Sequence, residues 1–80
     1  MKNYMNQAAD LAKQHGWDTV ADPIEWFADT GDKYTRAVLG ALSRDRTKMQ
    51  TFMESGKLNP VKFAAEVLRR SAAMRAVRNP

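Results

Sequence analysis

Asp18, Asp22, Glu25, Asp29 and Asp32 recur at intervals of four, three, four and three residues, the spacing that lines one face of a continuous helix. Such a stripe could meet a basic partner or the basic part of a second copy. Trp17, Trp26 and Phe27 flank it, and tryptophan is enriched among the residues that dominate interface energetics. Adjacent side chains diverge by about 100° on a helix, so Trp26 and Phe27 cannot both point inward, and one tryptophan is expected to face a partner. Trp17, Trp26, Asp18, Asp22, Glu25 and Asp29 are therefore the candidate partner-binding residues. The plainer alternative makes three of the acids helix caps or first-turn charges and both tryptophans half-buried core. The intervals do not fit a calcium loop.

A second candidate surface lies downstream. Up to Thr35 three basic residues face six acidic ones, whereas from Arg36 onward ten basic residues face three acidic ones. Clustered Lys and Arg neutralise phosphates, the main source of nucleic-acid affinity. The carriers are Arg44, Arg46, Lys48, Lys62, Arg69, Arg70, Arg75 and Arg78, with Lys57 beside them. Against this, Lys62, Glu66 and Arg70 stand at i, i+4 spacing and would form an ordinary surface ladder that cancels part of the field. Arg75 and Arg78 are expected on a projecting C-terminus. A helix-turn-helix with Thr47 to Glu54 as first helix and its turn at Gly56 fits poorly, because Phe52 stands where tight helix crossing needs a small residue.

Little in the chain points to catalysis. Asp29-Thr30-Gly31 matches the aspartic-protease triplet, but that chemistry pairs two such loops on a β scaffold, and one copy is present. Ser43, Ser55 and Ser71 have no nucleophile motif around them, and no glycine-rich phosphate loop exists. His15 is the single histidine and there is no cysteine, so thiolate metal sites and disulfides are ruled out. His15, beside Gly16, is expected to interact with a helix C-terminal dipole. The expectation is a non-enzymatic protein with no metal, cofactor or small-molecule substrate. Its partner is a larger protein or complex, or a second copy, with nucleic acid as the alternative.

With 80 residues, 44% of them hydrophobic, the chain can build one small core, and a domain of this size is marginal alone. No apolar run is long enough to span a bilayer, and the polar start lacks a signal peptide's hydrophobic stretch. A cytoplasmic protein without membrane contact is expected.

The elements that must position these residues are helices. Alanine is the commonest residue, and no stretch alternates with period two. Tyr4, Met5, Ala8, Leu11, Ala12 and His15 share a helical stripe closed by Gly16. Asp22-Pro23-Ile24-Glu25 reads as a capped helix start, with Ile24, Phe27 and Ala28 on its inner face and an end before Gly31. Asp32 or Thr30 caps a third helix with an apolar stripe of Tyr34, Val38, Ala41 and Leu42. A break is expected between Ser43 and Arg46, with Ser43 or Asp45 as the new cap, and helix then resumes toward Ser55-Gly56. Asn59 and Pro60 start the final helix, which runs to about Val77. Its apolar arc of Phe63, Val67 and Met74, widened by Ala64, Leu68, Val61, Ala65, Ala72 and Ala76, implies contacts on two sides. Met5, Met49, Met53 and Met74 are expected as core filler. The fold class is all-α, a single-domain bundle of four to five helices over 1–80, with 78–80 frayed.

Overall fold

The computed structural model describes residues 3–54 and 57–78. Among these it contains five helices: α1 (Tyr4–His15), α2 (Ala21–Thr30), α3 (Lys33–Arg44), α4 (Arg46–Gln50) and α5 (Pro60–Arg78). Between α4 and α5, β1 (Met53–Glu54) and β2 (Lys57–Leu58) pair antiparallel, Met53 opposite Leu58. The all-α bundle expected from the sequence is therefore present, with one minimal ladder added. Of the stretch 78–80 expected to fray, Arg78 is instead the last residue of α5, and 79–80, like the Ser55-Gly56 punctuation, lie outside the described residues.

Short side chains fix most helix starts. Asn3 Oδ1 accepts from the Asn6 amide at 2.9 Å, Asp32 Oδ1 from Thr35 at 2.8 Å, Asp45 Oδ1 from Lys48 at 3.1 Å, and Asn59 Oδ1 from Val61 at 2.9 Å. Each satisfies an amide that the first turn leaves without a helical acceptor. Asp45 caps α4 directly after α3 ends, so the break expected between Ser43 and Arg46 is real. The second helix departs from expectation: α2 begins at Ala21 with Val20 at its N-cap, and Asp22 lies inside the first turn.

α5 is the centre of the bundle, with α1, α3 and α2 all packed on it. Phe63, Ala64 and Val67 have no exposed surface, and Ala65 and Ser71 are buried beside them. Ala64, Ala65 and Ser71 let neighbouring helices approach closely, while Phe63 and Val67 fill the space between them. Ser71 Oγ donates to the Leu68 carbonyl at 3.2 Å, which removes the cost of burying a hydroxyl. Phe52, from the stretch after α4, meets Phe63 edge-on with centroids 5.7 Å apart.

Several inner faces are rotated from the sequence reading. On α3 the buried set is Thr35, Val38, Leu39 and Leu42, and Ala41 is exposed. Burying Leu39 removes more apolar surface from water than burying Ala41. On α2, Pro23 and Phe27 point inward and Ala28 outward. Met5 and Met53 are each 46% exposed rather than core filler, whereas Met49 and Met74 are half-buried against the core. Ala76 is exposed. The helix expected from Thr47 to Glu54 ends at Gln50, and the β1–β2 ladder follows, so a helix-turn-helix has no first helix to stand on.

Two glycines make the tight corners. Gly16 closes α1 at φ +66°, the left-handed conformation that glycine adopts without penalty. Gly31 joins α2 to α3 with an ordinary φ. A Cβ on it would stand 2.6 Å from both the Phe27 carbonyl oxygen and Thr35 Cγ2. Gly31→Ala is therefore expected to destabilise the fold by about 1–3 kcal/mol through overpacking, and Gly16→Ala by about 1–2 kcal/mol through backbone strain alone. Urea unfolding midpoints check both. Phe63→Ala should cost about 3–5 kcal/mol, a large part of the roughly 4–12 kcal/mol that a domain of this length holds.

Candidate functional site

The C-terminus of α1 sets the first wall of a concave site. Beyond the left-handed Gly16, the Trp17 amide donates to the Ala12 carbonyl at 2.9 Å, a Schellman-type closure that turns the chain back on itself. This brings Trp17 over α2. Its ring meets Trp26 in a T-shaped contact, centroids 5.8 Å apart, and lies 6.3 Å from Phe27. His15 covers the same pair, 6.1 Å from Trp17 and 5.2 Å from Trp26.

Asp22 holds the second wall. From the first turn of α2, its carboxylate accepts from the Asp18 amide at 2.8 Å and the Thr19 amide at 3.1 Å. These two backbone hydrogen bonds hold its carboxyl below the usual carboxylate range. Asp22 was expected to cap the helix that follows it; instead it ties down the loop behind it, the loop that carries Trp17. The reason is that α2 starts two residues earlier than expected, at Ala21 rather than Pro23, so the carboxylate of Asp22 faces the amides N-terminal to the helix.

Pro23 and Phe27 turn one face of α2 into the core, and Asp22, Glu25, Trp26 and Asp29 are left on the other. With His15 and Trp17 they line an open concavity of about 510 Å³. Glu25 and Asp29 are exposed, and neither has an ion-pair partner among the described residues. Both tryptophans are half-buried, each presenting one side to the core and the other to the concavity. Neither is singled out as the exposed one, because the two rings pack on each other. Among the described residues no three His, Asp or Glu side chains are grouped to hold a metal ion. Aromatic rings beside uncompensated carboxylates form a surface suited to an organic cation.

Of the sequence-predicted partner residues, Trp17, Trp26, Asp22, Glu25 and Asp29 are brought together, and Asp18 contributes its backbone amide rather than its side chain. His15 belongs to the site although its position suggested only a dipole contact. Its spacing from Trp17, with a turn-forming glycine between them, is the signal that could have placed it there. Asp32 is drawn away to the N-cap of α3.

The basic residues do not form one face. Glu66 accepts from Arg69 and, at 2.5 Å, from Arg70. Burial pushes the Glu66 carboxyl up, but the two guanidiniums outweigh it and the net displacement is downward. Arg75 was expected on a projecting tail; it instead pairs with Asp32 at 2.8 Å and lies over the Tyr34 ring, 6.0 Å from its centroid. Arg78, in the last turn of α5, is exposed. Arg44, Arg46 and Lys48 stand on either side of the corner between α3 and α4, with the Arg44 guanidinium lying back beside Gly40, and have no ion-pair partner among the described residues. Arg75 sits at the start of α3 and Arg44 at its end, about 18 Å apart along the axis at 1.5 Å per residue. Lys62 and Arg69 instead border a separate open groove of about 780 Å³ floored by Tyr4, Met5, Phe52 and Ala65. No local pattern announces this groove, because it joins the first and last helices.

No family model, curated protein or solved structure matches the chain. Among the described residues no helix is long and apolar enough to cross a membrane.

The Arg75 guanidinium, followed by the Thr35 amide, holds the Asp32 carboxyl far below the usual carboxylate range. A carboxyl depressed in the folded state stabilises the fold fully above its unfolded pKa of about 4 and progressively less as the pH falls below it. Thermal unfolding followed by circular dichroism should show the midpoint dropping with acidification across that range, and more gradually in Asp32→Asn. A parallel pH profile in the variant would show that the Asp32 cap and ion pair do not contribute.

Proposed function

We propose that this chain is a non-enzymatic interaction module that binds a basic segment of a larger protein or complex in the concavity of His15, Trp17, Asp22, Glu25, Trp26 and Asp29. One observation carries the reading: both tryptophans share a concave surface with Glu25 and Asp29, whose charges nothing else in the described structure neutralises. A Lys or Arg side chain entering there would gain about 0.5–2 kcal/mol from each ring it covers. The carboxylates add attraction that is modest at an exposed surface and screened by salt. Arginine fits best, since its planar guanidinium can stack on a tryptophan and donate to a carboxylate at once.

Nucleic-acid binding by the second half of the chain has less support. Arg69, Arg70 and Arg75 are engaged by carboxylates, and Arg44, Arg46 and Lys48 would neutralise only about three phosphates. A surface of that size gives weak, salt-sensitive and sequence-independent contact.

Titration of a fluorescein-labelled Arg/Lys-rich peptide, read by anisotropy, tests the proposal. Binding is expected, weakened about tenfold or more (about 1.4 kcal/mol) in the double variant Glu25→Lys, Asp29→Lys. Affinity unchanged by that charge reversal would overturn the reading. Labelled duplex DNA titrated in parallel should bind more weakly than the peptide; tighter DNA binding that is lost on neutralising Arg44, Arg46 and Lys48 would favour the phosphate reading instead.

A further inference from the structure

The molecule holds an uncompensated anionic site and an uncompensated cationic one, and they do not meet within one chain. Glu25 and Asp29 lie beside the tryptophans, and Arg44, Arg46 and Lys48 lie at the α3–α4 corner, with no ion pair between the two sets. Several other cations are already committed, while Lys13 and Arg78 are exposed in the last turns of α1 and α5. Arg36 donates to the Gly31 carbonyl, Lys33 sits 5.2 Å from the centroid of the Tyr34 ring, and Arg69, Arg70 and Arg75 are paired.

The corner is also well fixed. Asp45 ends α3 and caps α4 in a single residue, so Arg44 and Arg46 flank a defined turn. Cations presented on a rigid turn lose less conformational freedom on binding than those on a loose tail.

We infer that the concavity takes the α3–α4 corner of a second copy, with Arg46 and Arg44 entering beside Trp17 and Trp26 and pairing with Glu25 and Asp29. The inference rests on the reading of the concavity as a site for cationic side chains and adds the identity of an occupant. Donor and acceptor surfaces are different patches, so the contact is head-to-tail, and a pair keeps one free patch of each kind, one on each molecule. Association therefore continues into short chains or closes into a ring. A contact this small and polar is weak and reversible, and it falls with salt because the charges are exposed.

Sedimentation velocity of the full chain from micromolar to millimolar concentration, at low and high salt, tests the inference. The weight-average mass should rise with concentration at low salt and return to the monomer value at high salt. Glu25→Gln with Asp29→Asn, and separately Arg44→Gln with Arg46→Gln, should each remain monomeric, and circular dichroism establishes that both are folded. Mixed together, the two variants retain one intact acidic site and one intact basic corner between them. They should form a one-to-one complex that grows no further. A wild type that stays monomeric at millimolar concentration and low salt overturns the inference, as does a mixture that fails to associate. The labelled basic peptide separates this outcome from failure of the underlying reading. Peptide binding that depends on Glu25 and Asp29 in a monomeric protein leaves the cation site standing and removes only the second copy as its occupant. Self-association indifferent to Glu25 and Asp29 overturns the inference whatever the peptide does.

Discussion

Burial of α5 on several sides is the constraint from which the rest of the bundle follows. A domain of this size has little core to spare, and here α1, α2 and α3 are packed around the same rod. The small residues Ala64, Ala65 and Ser71 bring the partner helices close, and Phe63 and Val67 occupy the wedge between them without exposed surface. Once the inward face of α2 is committed to Pro23 and Phe27, its opposite face is committed as well. Asp22, Glu25, Trp26 and Asp29 are left on the outside together because helical periodicity allows nothing else.

Carboxylates in this chain divide between two kinds of work. Asp32 and Asp45 cap helices, and Asp22 secures a loop through two amides. Asp32 does more, since it also joins α3 to α5 through Arg75 across 43 residues of sequence. Glu66 anchors two arginines on one helix. Glu25 and Asp29 take no such structural part among the described residues, which is the reason they carry the functional argument. The same sorting thins out the basic half, where a sequence balance of ten against three shrinks to a few uncommitted cations at separate places.

Local signals were legible and distant ones were not. Asn3, Asp45 and Asn59 announce their helices by residue type and position, and Gly16 its termination, because capping is decided within a turn of chain. Which residue of a helix faces inward was less legible. Ala41 and Leu39 both lie near the apolar arc of α3, and the choice between them depends on what α5 and α2 bring opposite. The stretch after Gln50 misled for a related reason: Met49, Phe52 and Met53 keep a helical spacing, yet the Asn59 amide donates to the Phe52 carbonyl at 2.8 Å and the chain turns into a ladder instead. For the candidate site, the acidic and aromatic residue types were visible in sequence. Their convergence depended on the left-handed turn at Gly16, and His15 joined only through that turn.

The packing of α1 against α5 joins the first and last of the described helices, and this has a consequence for biosynthesis. Chain emerges from the ribosome in order, so α1 is made long before the surface that will cover Ala8 and Tyr4 exists. Its stripe is too short to stay helical unaided, and closing the distance to α5 costs loop entropy that only the completed contact repays. The intermediate α2–α3 hairpin can form early, since Gly31 and Asp32 alone separate its helices. The bundle as a whole closes only after α5 has been synthesised and has left the ribosome.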